Sequence, residues 1–258
     1  MMSQTKEEQM DKDLEEKLKY LRLIELLSNW DELMNQAKAK TPSYTALMKQ
    51  VIEREYYARK ERARLQRLRR GQIEEPYLID TYPFDRQTGI SKKKILDLFD
   101  SMDYLRKKQN LIFIGPTGVG KSGLATALLI HAINHGANGR FITFPDLLSE
   151  LYSSSADHSE KKVLKKFESY EVLCVDEIGY IEIDPNQAGL FFTLMKRRHK
   201  KATTIITTQL GFKDWAGFLK NNHLTAALVS RLTENSQLVN MSKCVDLRES
   251  IPAPRKSD

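Results

Sequence analysis

Residues 111–125 read LIFIGPTGVGKSGLA, and no other stretch restricts the fold as strongly. Leu111, Ile112, Phe113 and Ile114 form a short apolar run suited to a buried strand. From Lys121 onward, Leu124, Ala125, Leu128, Leu129 and Ala132 recur at helical spacing. Between strand and helix, Gly115-Pro116-Thr117-Gly118-Val119-Gly120-Lys121-Ser122 fits the pattern G-x-x-x-x-G-K-[ST]. Glycines in a helix-entry loop cost order, so their presence implies a need for bare backbone. That need is met by a loop whose N–H groups wrap a triphosphate while the lysine reaches its outer phosphates. A helix N-terminus, with its free N–H groups and positive dipole end, favours the same anion. Residues Gly115 to Gly123 are thus the candidate nucleotide-binding residues, with Ser122 as a candidate magnesium ligand.

From Ser91 the chain alternates helical stretches with apolar runs at 111–115, 140–144, 171–175, 203–207 and 236–240. This alternation predicts a parallel sheet flanked by helices, with ligands beyond the carboxyl ends of the strands. Ahead of it, Leu14, Leu18, Leu21, Leu26, Trp30 and Leu33 predict one or two helices over 11–39. Thr41 and Pro42 suggest the cap and first-turn proline of another helix, with Leu47, Val51, Ile52 and Tyr56 on its apolar face. Residues 71–89 hold two glycines and two prolines without a clear period and predict a linker, with Asp80, Tyr82 and Phe84 available to dock it. The expected organisation is a small all-α domain at 1–75, a linker at 76–90, an α/β domain at 91–250 and a tail at 251–258. A lid after the last strand is expected to be short or absent.

The other strand ends supply the rest of the chemistry. VLCVDEIGY places Asp176 and Glu177 directly after a buried run. Asp176 suits Mg²⁺ shared with the Ser122 hydroxyl, and Glu177 suits polarisation of a water attacking the γ-phosphate. The adjacent glutamate favours a hydrolase over a phosphotransferase. TTIITTQL ends another strand with Thr207, Thr208 and Gln209, where Thr208 and Gln209 are candidates to sense the γ-phosphate and orient that water. Arg231 and Arg248 read from the residues alone as either functional or ordinary surface arginines.

The net charge of +7 is concentrated. Residues 56–70, YYARKERARLQRLRR, carry seven basic side chains against Glu61 alone. Such a run repels itself unless an anion is near, and nucleic acid is the common partner; a solvated face is the alternative. Arg59, Arg62 and Arg69 share roughly one side of a helix, and with Arg70 they are the candidate DNA contacts. Lys161 and Lys165, in SEKKVLKKF, form the next basic stretch. No apolar run approaches the roughly 20 residues of a membrane span, and the polar opening is unlike a signal peptide, so a cytoplasmic protein is expected. Cys174 and Cys244 stand in no metal-ligand spacing and read as reduced thiols.

GPTGVGKSGLA, VLCVDEIGY, IITTQLGFKDW and LTAALVSRL resemble, in order and spacing, the IstB-like ATPases of insertion sequences, relatives of the DnaC helicase loaders within the AAA+ class. EREYYARKERARLQRLRR is similar to the basic helical segment that precedes the ATPase domain in that family. The resemblance implies an AAA+ P-loop NTPase using ATP and Mg²⁺, assembling into rings or helices on duplex DNA, remodelling a target site and stimulating a transposase encoded by the same insertion sequence. It makes Gln209 the sensor where the family has asparagine, Arg231 an arginine finger completing a neighbour's site, and Arg248 the closing arginine. Two departures stand out: Ser230-Arg231-Leu232 replaces Asp-Arg-Leu, and Asp246-Leu247-Arg248 replaces Ser-Tyr-Arg. A helicase loader would share the ATPase core, a nucleotide-holding scaffold would need neither Glu177 nor Arg231, and a small-molecule kinase would leave the basic helix without a role.

Overall fold

The α/β alternation is realised in a computed structural model that describes residues 10–156, 158–180 and 183–248. The chain divides into two compact units, Met1–Gln66 and Arg67–Asp258. The expected tail at 251–258 lies outside the described residues.

The first unit is helical: α1 (Lys12–Tyr20), α2 (Ile24–Ser28), α3 (Trp30–Lys40) and most of α4 (Tyr44–Gly71). Asp11 caps α1 by accepting the Leu14 N–H at 2.6 Å. Residues 11–39 thus hold three helices where one or two were expected, because Arg22 takes a left-handed turn (φ 57°) after α1 and Asn29 departs from helical geometry after α2. Thr41, expected to cap α4, instead closes α3 in a left-handed conformation, and Ser43 accepts the Ala46 N–H at 3.3 Å. One buried acid organises this unit. Glu55 of α4 accepts the N–H groups of Glu25 and Leu26 at 2.8 and 3.2 Å, where the positive end of α2 favours a carboxylate, and Arg62 pairs with it at 2.9 Å.

The second unit continues through α5 (Lys92–Ser101), α6 (Asp103–Arg106), β1 (Asn110–Ile114), α7 (Lys121–Asn134), β2 (Gly139–Thr143), α8 (Phe144–Ala156), α9 (Glu160–Glu168), β3 (Val172–Ile178), α10 (Pro185–Arg198), β4 (Thr203–Thr208), α11 (Trp215–Leu219), α12 (Asn222–Thr233) and β5 (Ser236–Asn240). All five expected strands form, and all pair in parallel in the order β2-β3-β4-β1-β5. Their alternation sorts side chains onto two covered faces. Leu111, Phe113, Val172, Cys174 and Ile205 pack with α5 and α7, whereas Ile112, Leu173, Val175 and Ile206 pack with residues of α8 to α12. The first helical stretch after Ser91 is two helices, because Met102 adopts φ 48° between them; Ser91 caps the first by accepting the Lys94 N–H at 3.3 Å.

Arg198, only 1% exposed, ties the opposite end of the sheet. Its guanidinium donates to the carbonyls of Phe167, Tyr170 and Thr203 and to the Thr204 hydroxyl at 2.5–3.1 Å. Burial lowers its pKa to about 10, an effect that Glu168 opposes.

The stretch expected as a linker is packed along much of its length, and Tyr82 and Phe84, two of the three residues expected to dock it, do so. Ile73, Ile79, Tyr82, Phe84 and Ile90 lie against the core cluster that contains β1 and α7, and Gln87 is 1% exposed. It lacks a period because it is built from a 3₁₀ turn at Ile79–Thr81 and irregular backbone, so its apolar residues follow neither helical nor strand spacing. Among the described residues no helix follows β5, and none is long and apolar enough to cross a membrane.

Candidate functional site

The carboxyl ends of β1, β3 and β4 converge on the loop at 115–120. β1 lies between β4 and β5, and the crossover through α7 carries the chain past β4 and β3 to β2, leaving a crevice at this edge. Gly118 and Gly120 have φ of 83° and 88°, a conformation that only glycine adopts without strain. A Cβ on Gly120 would stand 2.9 Å from the Tyr82 ring, and one on Gly118 would collide with the Asp246 carboxylate.

Lys121 begins α7, and its ammonium donates to the Pro116 carbonyl at 2.7 Å, folded along the loop. Burial lowers its pKa; Asp176 and Glu177 act in the opposite sense, while Arg248 adds to the lowering. Ser122 donates to Asp176 Oδ1 at 3.0 Å, so the two expected magnesium ligands meet. Both offer hard oxygen donors, which fits Mg²⁺, an ion that usually takes one or two protein oxygens and fills its shell with water and phosphate oxygens.

Glu177 follows Asp176 with φ 63°, at an irregularity in the β3–β4 pairing between Val175 and Ile178. That break turns consecutive side chains to the same end of the sheet. Burial, reinforced by Asp176 and opposed by Lys121, holds the Glu177 carboxyl above its ordinary pKa.

At the end of β4 the register separates three neighbours. Thr207 accepts the Glu177 N–H at 3.0 Å and donates to Asp176 through a short contact, so it touches both acids. Thr208, expected at the reacting centre, donates to the Ile178 carbonyl at 2.8 Å and is fully buried. Its neighbour Thr207 has the place expected of it, because successive strand residues face opposite ways. Gln209 accepts from the Thr117 hydroxyl at 3.0 Å, and the Tyr180 hydroxyl lies 3.1 Å from that same oxygen.

A cavity of about 450 Å³ opens along the loop. Tyr77, Leu78, Tyr82, Pro83 and Leu247 give it an apolar wall, and Lys121, Ser122, Glu177, Thr207 and Arg248 give it a polar one. Arg248 engages the Asp246 carboxylate through Nε and Nη2 at 3.2 and 3.1 Å. Arg231 does not line the cavity; it donates to the Ala227 carbonyl at 2.9 Å and covers the Phe192 ring at 4.9 Å.

The candidate DNA contacts are less uniform. Arg59, Arg69 and Arg70 are exposed, as are Lys161 and Lys165, which border a shallow depression with Arg197. Arg62 pairs with Glu55, a partner that charge counting could not foresee, because the buried carboxylate lies seven residues back along the helix. Reading the sequence missed Tyr77, Gln87 and Tyr180 altogether; of the three, only Tyr180 had a signal, its position three residues after the acid pair.

The chain is similar to known proteins over most of its length. The family model of the IstB-like ATP binding proteins matches residues 16–249. The ATP-binding protein of insertion sequence IS232 from Bacillus thuringiensis subsp. berliner is 30% identical over 224 residues, 87% of this chain and 89% of that one. Its counterpart in IS21 from Pseudomonas aeruginosa is 29% identical, covering 89% and 86%. The crystal structure of DnaI superposes with a TM-score of 0.53 at 18% identity, covering 64% of this chain and 90% of that one. AMPPCP-bound DnaA from Aquifex aeolicus gives 0.51 at 15% identity, covering 64% and 49%. These structural likenesses show the fold alone, a parallel sheet flanked by helices.

Proposed function

From the premise that this chain belongs to the IstB-like ATP-binding proteins, we propose that it is an AAA+ ATPase that assembles on duplex DNA, remodels a target site and recruits or stimulates the transposase of its insertion sequence. The observation that carries the ATPase reading is the meeting of Ser122, Asp176, Thr207 and Glu177 beside the phosphate loop. ATP is the substrate, with its phosphates on the N–H groups of residues 118–122 and its base against Tyr77, Leu78 and Tyr82. A bound magnesium ion, held by Ser122 and Asp176, would neutralise phosphate charge. Glu177 takes the proton of the attacking water, a role its raised pKa favours. Thr207 keeps Glu177 and Asp176 in register, and Gln209 and Tyr180 fix the tip of the loop through Thr117.

Arg231 points to a shared site: held on the outside of its own cavity, it is available to a neighbouring copy. Arg59, Arg69 and Arg70 carry the reading of duplex DNA as partner, with Lys161 and Lys165 as a second basic surface. A helicase loader remains the competing reading for the same core. It is disfavoured by the basic helix and by the insertion-sequence relatives.

The test is Glu177→Gln. ATP binding with magnesium should persist, while turnover falls by roughly 10²–10⁴, the usual contribution of a general base. In the wild type the acid limb of kcat/KM, which reports the free enzyme, should lie above the pH of an ordinary glutamate, because only the deprotonated carboxylate accepts the proton, and the limb should vanish in the variant. Near-normal turnover would remove Glu177 from the mechanism.

A further inference from the structure

Gln87 lies in the stretch that the sequence presents as a linker, yet it is 1% exposed and its side-chain amide is fully engaged. Its NH₂ donates to two carbonyls, Val119 at 3.0 Å and Val245 at 2.8 Å, and its oxygen accepts the Val245 N–H at 2.9 Å. Val119 belongs to the phosphate loop, and Val245 stands three residues before Arg248. Because both partners of the nitrogen are carbonyls, only an amide can serve here: a carboxylate would face two acceptors without a proton to give.

The same region makes further contacts of this kind. The Tyr82 hydroxyl also donates to the Val119 carbonyl, at 3.2 Å, and the Leu247 N–H donates to the Gly118 carbonyl at 3.0 Å. In a planar trans peptide the C=O and the following N–H point in opposite directions. Holding the Val119 carbonyl outward therefore turns the Gly120 N–H to the opposite side, and holding the Gly118 carbonyl does the same for the Val119 N–H. The donors of the anion cradle are thus aimed by residues outside the loop. Asp246, lying against the bare Cα of Gly118, braces the segment and grips Arg248 through its main-chain N–H at 2.9 Å and its guanidinium.

We propose that Gln87 is a positioning residue of the nucleotide site: it aims the phosphate loop's N–H groups and, through Val245, seats Arg248 at the cavity, so that loop and arginine respond to the triphosphate as one unit. This rests on the reading that the cavity takes ATP.

The experiment is a double-mutant cycle on the full chain, with the dissociation constant of a fluorescent ATP analogue measured for wild type, Gln87→Met, Arg248→Ala and the pair. Each single variant should weaken binding by about tenfold, the equivalent of one or two well-made hydrogen bonds. The pair should be little worse than Gln87→Met alone, because Arg248 without its seat has nothing left to lose. Tyr82→Phe combined with Arg248→Ala should multiply, since the Tyr82 hydroxyl bonds the loop at the Val119 carbonyl, whereas the Gln87 amide also bonds Val245 at both its N–H and its carbonyl.

Independent, multiplying effects of Gln87→Met and Arg248→Ala would overturn the coupling while leaving ATP binding intact. Failure of the wild type to bind the analogue would overturn the ATP reading and this inference together. Should Gln87→Met not fold, amide exchange on the wild type decides: protection of the Val245 and Leu247 N–H groups should rise on adding the analogue and should not rise in Arg248→Ala. No nucleotide-dependent change at those amides would sink the proposal.

Discussion

The strand-end cluster and the basic helix α4 both concentrate charge, and they handle it in opposite ways. At the strand ends three charged groups each meet a specific partner: Lys121 a loop carbonyl, Asp176 two hydroxyls, Arg248 a carboxylate. Along α4, Arg62 and Arg64 pair with Glu55 and Glu61, whereas Arg59, Arg69 and Arg70 stand exposed. The first region is organised for a ligand of fixed geometry. The second suits a ligand recognised as a field of charge, such as a phosphate backbone.

Arg231 is where this contrast is most exposed to refutation, since it is expected to serve a strand-end cluster that its own chain does not let it reach. Arg231→Ala should lower turnover by roughly 10³–10⁵, the range of an arginine finger, with ATP binding to single subunits unchanged. Mixing it with Lys121→Ala protein should restore activity, because one kind of mixed interface then has both an intact site and an intact finger. If each variant still co-assembles with wild type but no activity returns, the finger does not act across subunits.

Arg62 tests the other side. Arg62→Ala leaves the Glu55 carboxylate without its cation and should destabilise the first unit by about 1–2 kcal/mol, below the full value of a charged hydrogen bond because the arginine is partly exposed. Chemical denaturation followed by a probe in residues 10–66 measures it. The salt dependence of DNA binding should not change, and a changed slope would return Arg62 to the DNA surface.

The smallest effect sharpens the same comparison. Arg59→Ala with Arg70→Ala should remove up to two phosphate contacts, each reducing the slope of log K against log salt by about 0.9 on duplex DNA. ATP hydrolysis without DNA should survive. An unaltered slope would move the interface to Lys161 and Lys165.

Where residue order and backbone chemistry coincide, the sequence was a sufficient guide. The glycines of the loop, the five apolar runs and the Asp176–Glu177 pair are each dictated locally, and the structure brings Ser122, Asp176 and Glu177 together at one end of the sheet. What escaped was set by register or by distant partners. Thr207 and Thr208 are chemically identical, and only the facing of β4 decides which one meets the acids. Gln87 carries no signature, since its partners are main-chain atoms of segments far along the chain. The packed stretch at 73–90 was hidden for a related reason: apolar residues on irregular backbone have no period to detect.

The position of β1 in the sheet also bears on how the protein is made. Leu111 finds its neighbours only at Ile205 and Gln237, while β2 and β3, which follow it, pair with each other. At roughly 5–20 residues per second of synthesis, the apolar run that carries the phosphate loop waits several seconds on the ribosome before either flanking strand exists. During that interval its edges are open and sticky. Engagement of nascent chains by chaperones should therefore begin once β1 emerges and end only after β5 has been translated, so that the strand bearing the reactive loop is also the one most in need of protection at birth.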